Sequence, residues 1–169
     1  MYYDLTVVQF TKMLKNLSAI LEKAEAFAAL KKVDMAVVLN SRLAIDQFNL
    51  LRQVQISTDI AKLAVARLTA KDAPKHEDNE TTLAELQARI QSVIDYLAGF
   101  SEADFAESAT RSISQPRWEG KYLTGHEFAI EWAIPNVYFH VTTAYAILRH
   151  LGVDVGKKDY LGEMPFKTN

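Results

Sequence analysis

Apolar residues recur at three- and four-residue spacing in four long stretches of this chain, and that period requires amphipathic helices packed face to face. The first stretch runs from Leu5 to about Leu30 and places Phe10, Met13, Leu14, Leu17, Ile20, Leu21, Ala24, Phe27 and Ala28 on one side. The second carries Leu43, Gln47, Leu50, Leu51, Val54, Thr58, Ala61, Val65 and Leu68, with Arg52, Gln53, Asp59, Lys62 and Arg67 mainly on the other side. In the third, Thr82-Leu-Ala-Glu85 forms a capping box and Leu83, Leu86, Ile90, Val93, Ile94 and Leu97 follow, with Gly99 to close the helix. The fourth runs from about Asn136 to His150 with Val137, Val141, Ala144, Ile147, Leu148 and Leu151, and Gly152 placed to stop it. Four such segments predict an all-α fold, an antiparallel four-helix bundle.

The connections are distinct in character. Asp34 caps a brief helical turn through Met35 to Leu39, and Ser101 caps another. Thr69 to Glu80 is polar, contains Pro74 and lacks any period, so it reads as a surface connection with His76 a solvated loop residue. From Ser108 to Leu123, Ala109, Arg111 and Ile113 alternate with small polar residues, Gln115-Pro116 supplies a turn, and Trp118, Gly120 and Tyr122 alternate again. That pattern predicts a small β-hairpin or irregular excursion before the last helix. Thr124-Gly-His-Glu127 is a second capping box, opening a helical segment that Pro135 is expected to interrupt.

Length and composition set the frame for function. The chain has 169 residues, enough for one core, and residues 1–169 read as a single domain. Its 19 basic and 21 acidic side chains leave a net charge of −2 with no basic block, which excludes nucleic acid as an expected partner. There is no cysteine, which removes disulfides, thiolate nucleophiles and thiolate metal sites. With no basic leader and no apolar run of membrane-spanning length, the expectation is a cytoplasmic protein with no membrane partner. None of the four histidines (His76, His126, His140, His150) has a glutamate three residues before it, so the inward Glu-x-x-His pairs of di-iron bundles are excluded. His126-Glu127 begins like a zinc-protease helix, but Ile130 stands where the second imidazole belongs. The glycines form neither a dinucleotide fingerprint nor a phosphate loop. No cofactor and no resident metal are expected.

What singles out a candidate site is polarity on a buried stripe, because such a group needs a partner or a hydrated cavity. At about 100° per residue, His140 projects beside Val137, Val141, Ala144 and Ile147, while Gln47 and Thr58 project with Leu51, Val54 and Val65. In one reading, His140 bonds to Gln47, Thr58 or a backbone carbonyl and fixes helix register. In the other, it anchors a partly hydrated pocket for a small-molecule ligand, with Asn136 on the same face. Both make it the least exposed of the four histidines. Tyr138, Thr142, Tyr145 and Arg149 form an aromatic and cationic strip on a different face, which suits packing, a pocket mouth or a homodimer interface.

The segment Ile134-Pro-Asn-Val-Tyr-Phe-His-Val-Thr-Thr-Ala-Tyr-Ala-Ile-Leu-Arg-His150, followed by Gly152 and Gly156-Lys-Lys-Asp-Tyr-Leu-Gly162, resembles a bacterial domain-of-unknown-function family within the DinB/YfiT-like superfamily. Gln53-Val-Gln55, Ala61-Lys62 and Ala66-Arg67-Leu68 share in the resemblance. It implies a DinB-like bundle in up-down-down-up order, in a superfamily whose metal-dependent members include thiol-dependent transferases and isomerases with a histidine triad. Here the second helix carries no histidine and the fourth has His140 without another four residues away. The expected function is therefore a small-molecule-binding or structural homodimer without that triad. The alternative is a transferase- or isomerase-like enzyme using His140, a metal then needing ligands such as Asp46 or a partner chain.

Overall fold

The computed structural model describes residues 1–168. A π-helical stretch, Asp4–Val8, leads into α1 (Gln9–Lys31), which Lys32 ends in the left-handed conformation. Then come α2 (Met35–Asn40), α3 (Leu50–Thr69), α4 (Leu83–Ala98), strands β1 (Ser112–Ser114) and β2 (Tyr122–Thr124), α5 (Gly125–Glu127), α6 (Ile134–His150) and α7 (Lys157–Leu161). The strands form one antiparallel pair with Ile113 opposite Leu123, so the excursion before the last helix is a short hairpin. The structure is predominantly helical: α3 packs on α4 and α6, and α1 packs on the same two helices from the other side. Their shared core is built from the expected stripes, with Phe10, Leu14 and Leu17 of α1, Val54, Val65 and Leu68 of α3, Leu86 and Leu97 of α4, and Val137, Val141 and Leu148 of α6 all buried.

Two boundaries differ from the sequence expectation, each for a local physical reason. α3 begins at Leu50 rather than near Leu43, because Asn49 caps it: the Asn49 side chain accepts the Arg52 amide at 3.0 Å. The preceding residues are turns, with Leu43 and Ile45 exposed, so Gln47 is not on the helix at all. Pro135 stands in the first turn of α6, yet it does not interrupt the helical segment that Thr124 opens. A π-helical stretch at Phe128–Ala133 carries α5 into α6, and Ile134 keeps helical angles of φ −61° and ψ −53°. The wider π turn shifts carbonyl partners by one residue, so the proline ring and its missing N–H are accommodated instead of breaking the helix. Both capping boxes form; the Thr82 hydroxyl accepts the Glu85 amide and the Thr124 hydroxyl that of Glu127, each at 3.3 Å.

The hairpin is locked against the helices at short range. The Ser108 hydroxyl donates to the Leu68 carbonyl at 2.7 Å, and a side chain at Gly125 would overlap the Ser108 carbonyl oxygen, so glycine is required there. The connection between α3 and α4 is pinned by charge. The Arg89 side chain of α4, 1% exposed, donates to Glu80 at 2.9 and 3.1 Å, Asp59 at 2.7 Å and Thr58 Oγ1 at 2.8 Å, and Asp78 lies 2.7 Å away. Lys62 pairs with Asp59 at 2.9 Å and meets His76 Nδ1 at 2.6 Å, so His76 is half-buried and engaged, not solvated as its polar loop suggests. Burial, the largest single influence, would raise the Glu80 carboxyl, but hydrogen bonds from Arg89, the backbone and Gln55, with the charge of Arg89, together outweigh it and leave its pKa lowered. Removing the cation from this cluster leaves partly buried carboxylates short of partners. Arg89→Met is accordingly expected to destabilise the protein by about 3–5 kcal/mol in urea denaturation, with the loop from Thr69 to Glu80 becoming the first protease-sensitive segment.

Candidate functional site

α3 has a second stripe beside its core stripe: Gln53, Ile56, Ile60, Leu63 and Arg67, again at three- and four-residue spacing. Opposite it, Trp132, Asn136 and His140 recur at intervals of four along the last helix. Between them opens a groove of about 430 Å3, lined by Ile56, Asp59, Ile60, Leu63 and Arg67 from α3 and by Trp132, Asn136 and His140. The hairpin turn closes one end with Gln115, Pro116 and Arg117, and Phe48 covers the other side from the segment before α3. That volume lies within the range of small-molecule sites, which are mostly apolar with a few placed polar groups.

His140 is 9% exposed, and it is the least exposed histidine: His76 is half-buried, while His126 and His150 are exposed. Its partner is neither Gln47 nor Thr58. Nδ1 lies 2.7 Å from Gln53 Oε1, and Gln53 Nε2 donates to the Phe48 carbonyl at 3.0 Å. A carbonyl oxygen only accepts, so it fixes the glutamine amide with its nitrogen toward Phe48 and its oxygen toward the imidazole. His140 therefore donates from Nδ1, and Nε2 is left as a bare acceptor with no hydrogen-bond partner among the described residues. Burial, with the positive charge of Arg52 added, lowers the His140 pKa from 6.5 to about 4, so the ring is neutral across physiological pH.

The other expected site residues separate. Thr58 is fully buried but turns toward α4, where its hydroxyl donates to the Gln55 carbonyl and accepts from Arg89. Gln47 sits in the turn before α3, half-buried, with its Oε1 unpaired. Tyr145 faces α7, its ring 5.9 Å edge-on from Tyr160, whose hydroxyl meets Thr142 at 2.9 Å, so part of the aromatic strip of α6 packs against α7, Thr142 and Arg149 stay exposed, and none of the strip lines the His140 groove. Only His140 and Asn136 of the expected set line it. Sequence reasoning placed Gln53 and Arg67 on an outer face and gave the hairpin no site role, yet Gln53, Arg67, Gln115, Arg117 and Trp132 shape the groove. The recurrence of Ile56, Ile60 and Leu63 was the available signal, since an exposed helix face has no use for three aligned aliphatics.

The donor set beside His140 is poor for a metal. Asp59, the carboxylate of the groove, is committed to Arg89 and Lys62, Asp46 is exposed outside the groove, and among the described residues no group of three His, Asp or Glu side chains is arranged to hold a metal ion. Arg67 and Arg117 add positive charge to the same groove, which further disfavours a dication.

Fold and groove together define a DinB-like helical protein. A crystal structure at 1.83 Å resolution described as a DinB family member protein from Shewanella denitrificans is 74% identical to this chain, covers 99% of it and 95% of its own chain, and superposes with a TM-score of 0.96. The chain belongs to the family described as domain of unknown function DUF1993, whose pattern it matches over residues 2–161. Among curated proteins, none matches.

The depressed pKa of His140 has a consequence for stability. In the unfolded chain the ring protonates near 6.5, whereas in the folded protein it protonates only near 4. Between those values the unfolded state binds more protons, so a contribution that is complete above about pH 6.5 is lost progressively as pH falls through 4. A shift of this size corresponds to roughly 3 kcal/mol. His140→Gln, which cannot titrate, is expected to show a flatter decline of unfolding free energy between pH 7 and pH 4 than the native protein. Parallel declines would place His140 in water rather than in the groove wall.

Proposed function

We propose that this chain is a small-molecule-binding member of its family: a single domain over residues 1–169, a DinB-like four-helix bundle in up-down-down-up order, working through the groove at His140 without the histidine triad of metal-dependent relatives. One observation carries the reading, namely the Gln53-oriented, neutral His140 that presents a bare Nε2 beside a groove of about 430 Å3. Such a group accepts a hydrogen bond from a ligand at no cost of deprotonation. An acid–base enzyme is less well supported, because a proton-shuttling group works best with a pKa near the operating pH, and about 4 is far below it. The triad reading is unsupported on the donor chemistry described above.

As to setting, no helix among the described residues is long and apolar enough to cross a membrane. The net charge of −2 argues against nucleic acid, and a cytoplasmic homodimer fits the exposed Ile45, Phe48 and Phe139, which are 94%, 58% and 57% accessible. A thermal-shift screen of small metabolites against the native protein and His140→Ala tests the function. At least one class is expected to raise the melting temperature of the native protein and to lose its effect in the variant, since ligands that bind only the folded state stabilise it. If the same compounds stabilise both proteins equally, His140 is not part of the site. Light scattering at two concentrations checks assembly, and a monomer mass at both would exclude the homodimer.

A further inference from the structure

The hairpin end of the groove holds three hydrogen-bond donor side chains, two of them with a buried N–H that has no acceptor among the described residues. Gln115 is 8% exposed, and its Nε2 is buried with no acceptor. Arg67, half-buried on the second stripe of α3, has its Nη1 in the same state. Arg117 lies with its guanidinium 5.4 Å from the centre of the Trp132 ring. All three line the one groove, and among the described residues neither arginine is within ion-pair distance of a carboxylate. Elsewhere in the fold the opposite holds, as Arg89 is saturated by Asp59, Asp78 and Glu80.

Buried donors without partners are rare in native proteins, and two in one groove mark a place where something outside the chain supplies the acceptors. Ordered water satisfies N–H groups but does not offset charge. Burial, and next the like charge of Arg117, lower the pKa of Arg67, which means that its cation stands in an unfavourable field. Only an anion relieves both defects. Asp59 does not, because Arg89 at 2.7 Å and Lys62 at 2.9 Å already share it. The lining also limits the kind of anion: two orphaned N–H donors are enough for the two oxygens of a carboxylate, and the wall of Trp132, Ile60 and Leu63 is apolar and suits an organic body.

We propose that this end of the groove is an oxyanion subsite in which Arg67 Nη1, Gln115 Nε2 and the Arg117 guanidinium receive the carboxylate of a small organic acid whose apolar body lies along Trp132 and α3. The inference rests on the reading of the groove as a ligand site and names the ligand class. His140 and Asn136, further along the groove, then select the polar substituent at the other end of the acid.

Three probes test it: benzoate, the neutral benzyl alcohol, and inorganic phosphate, each titrated against the protein while tryptophan emission and melting temperature are followed. Benzoate is expected to alter the emission and raise the melting temperature, with benzyl alcohol at least about tenfold weaker. In Arg67→Met the benzoate affinity falls roughly ten- to a hundredfold, benzyl alcohol is unaffected, and the unliganded protein melts higher because a half-buried unpaired cation is gone. Arg117→Gln, at an exposed position that does not bear on folding, weakens benzoate in the same direction. Equal responses to benzoate and benzyl alcohol, or a benzoate response unchanged in both variants, would overturn the subsite while leaving the groove as a site for neutral ligands. A response to phosphate but not benzoate overturns the carboxylate assignment. No response to any probe in the native protein overturns the subsite outright, and the metabolite screen with His140→Ala then decides separately whether the groove binds anything.

Discussion

Two hydrogen bonds in series, from His140 to Gln53 and from Gln53 to the Phe48 carbonyl, join three parts of the chain that the hydrophobic core leaves free to slide: the last helix, α3 and the turn before it. Apolar packing specifies which faces meet but tolerates small shifts of one helix along another. A buried glutamine and a buried imidazole do not, because each must keep its partner within hydrogen-bond range or bear the cost of an orphaned group. The register of α6 on α3 is thereby fixed, and with it the width of the groove between the Ile56–Ile60–Leu63 stripe and Trp132. The same bonds decide the chemistry of the imidazole. They hold the proton on Nδ1 and leave Nε2 as the acceptor, while burial keeps the ring neutral, so one polar chain sets both the shape of the site and the tautomer it presents.

Charge is distributed with a comparable asymmetry. On the α4 side of α3, Arg89, Lys62 and Arg52 are matched by Asp59, Asp78 and Glu80, a closed cluster that holds the long connection in place. On the α6 side, Arg67 and Arg117 stand unmatched beside an aromatic ring. A cluster that satisfies itself is a structural device, whereas one left open stores an electrostatic preference for whatever enters. The hairpin is what creates the difference, since it delivers Gln115 and Arg117 to the groove and is held there by Ser108 against Leu68 and by the close approach of Gly125.

The core was legible in the sequence because hydrophobic period depends only on local spacing: the stripes of α1, α4 and α6, both capping boxes and the hairpin all occur where the pattern puts them. Burial of His140 followed from the same arithmetic. Its partner did not. Gln47 and Gln53 are six residues apart, and choosing between them required the start of α3, which the Asn49 cap sets against an apolar-looking run from Leu43. Pro135 misled for a related reason, since a π-helical turn is a tertiary accommodation that leaves no mark in propensity. The site residues hardest to see were those that long-range folding brings together: Arg67, Gln115 and Arg117 read as ordinary polar residues until the hairpin lies against α3. Helix α3 carries two useful stripes, and only the more hydrophobic one stands out in a linear reading.

Gln53 imposes the tautomer of His140 and burial its neutrality, and nitrogen-15 NMR of the histidine ring measures both directly. At pH 7 the expected spectrum shows Nδ1 protonated and Nε2 bare for His140, with no titration until the pH approaches 4. A ring protonated on Nε2 would contradict the hydrogen-bonded chain, one that titrates near its ordinary 6.5 would contradict its burial, and either would contradict the groove as described.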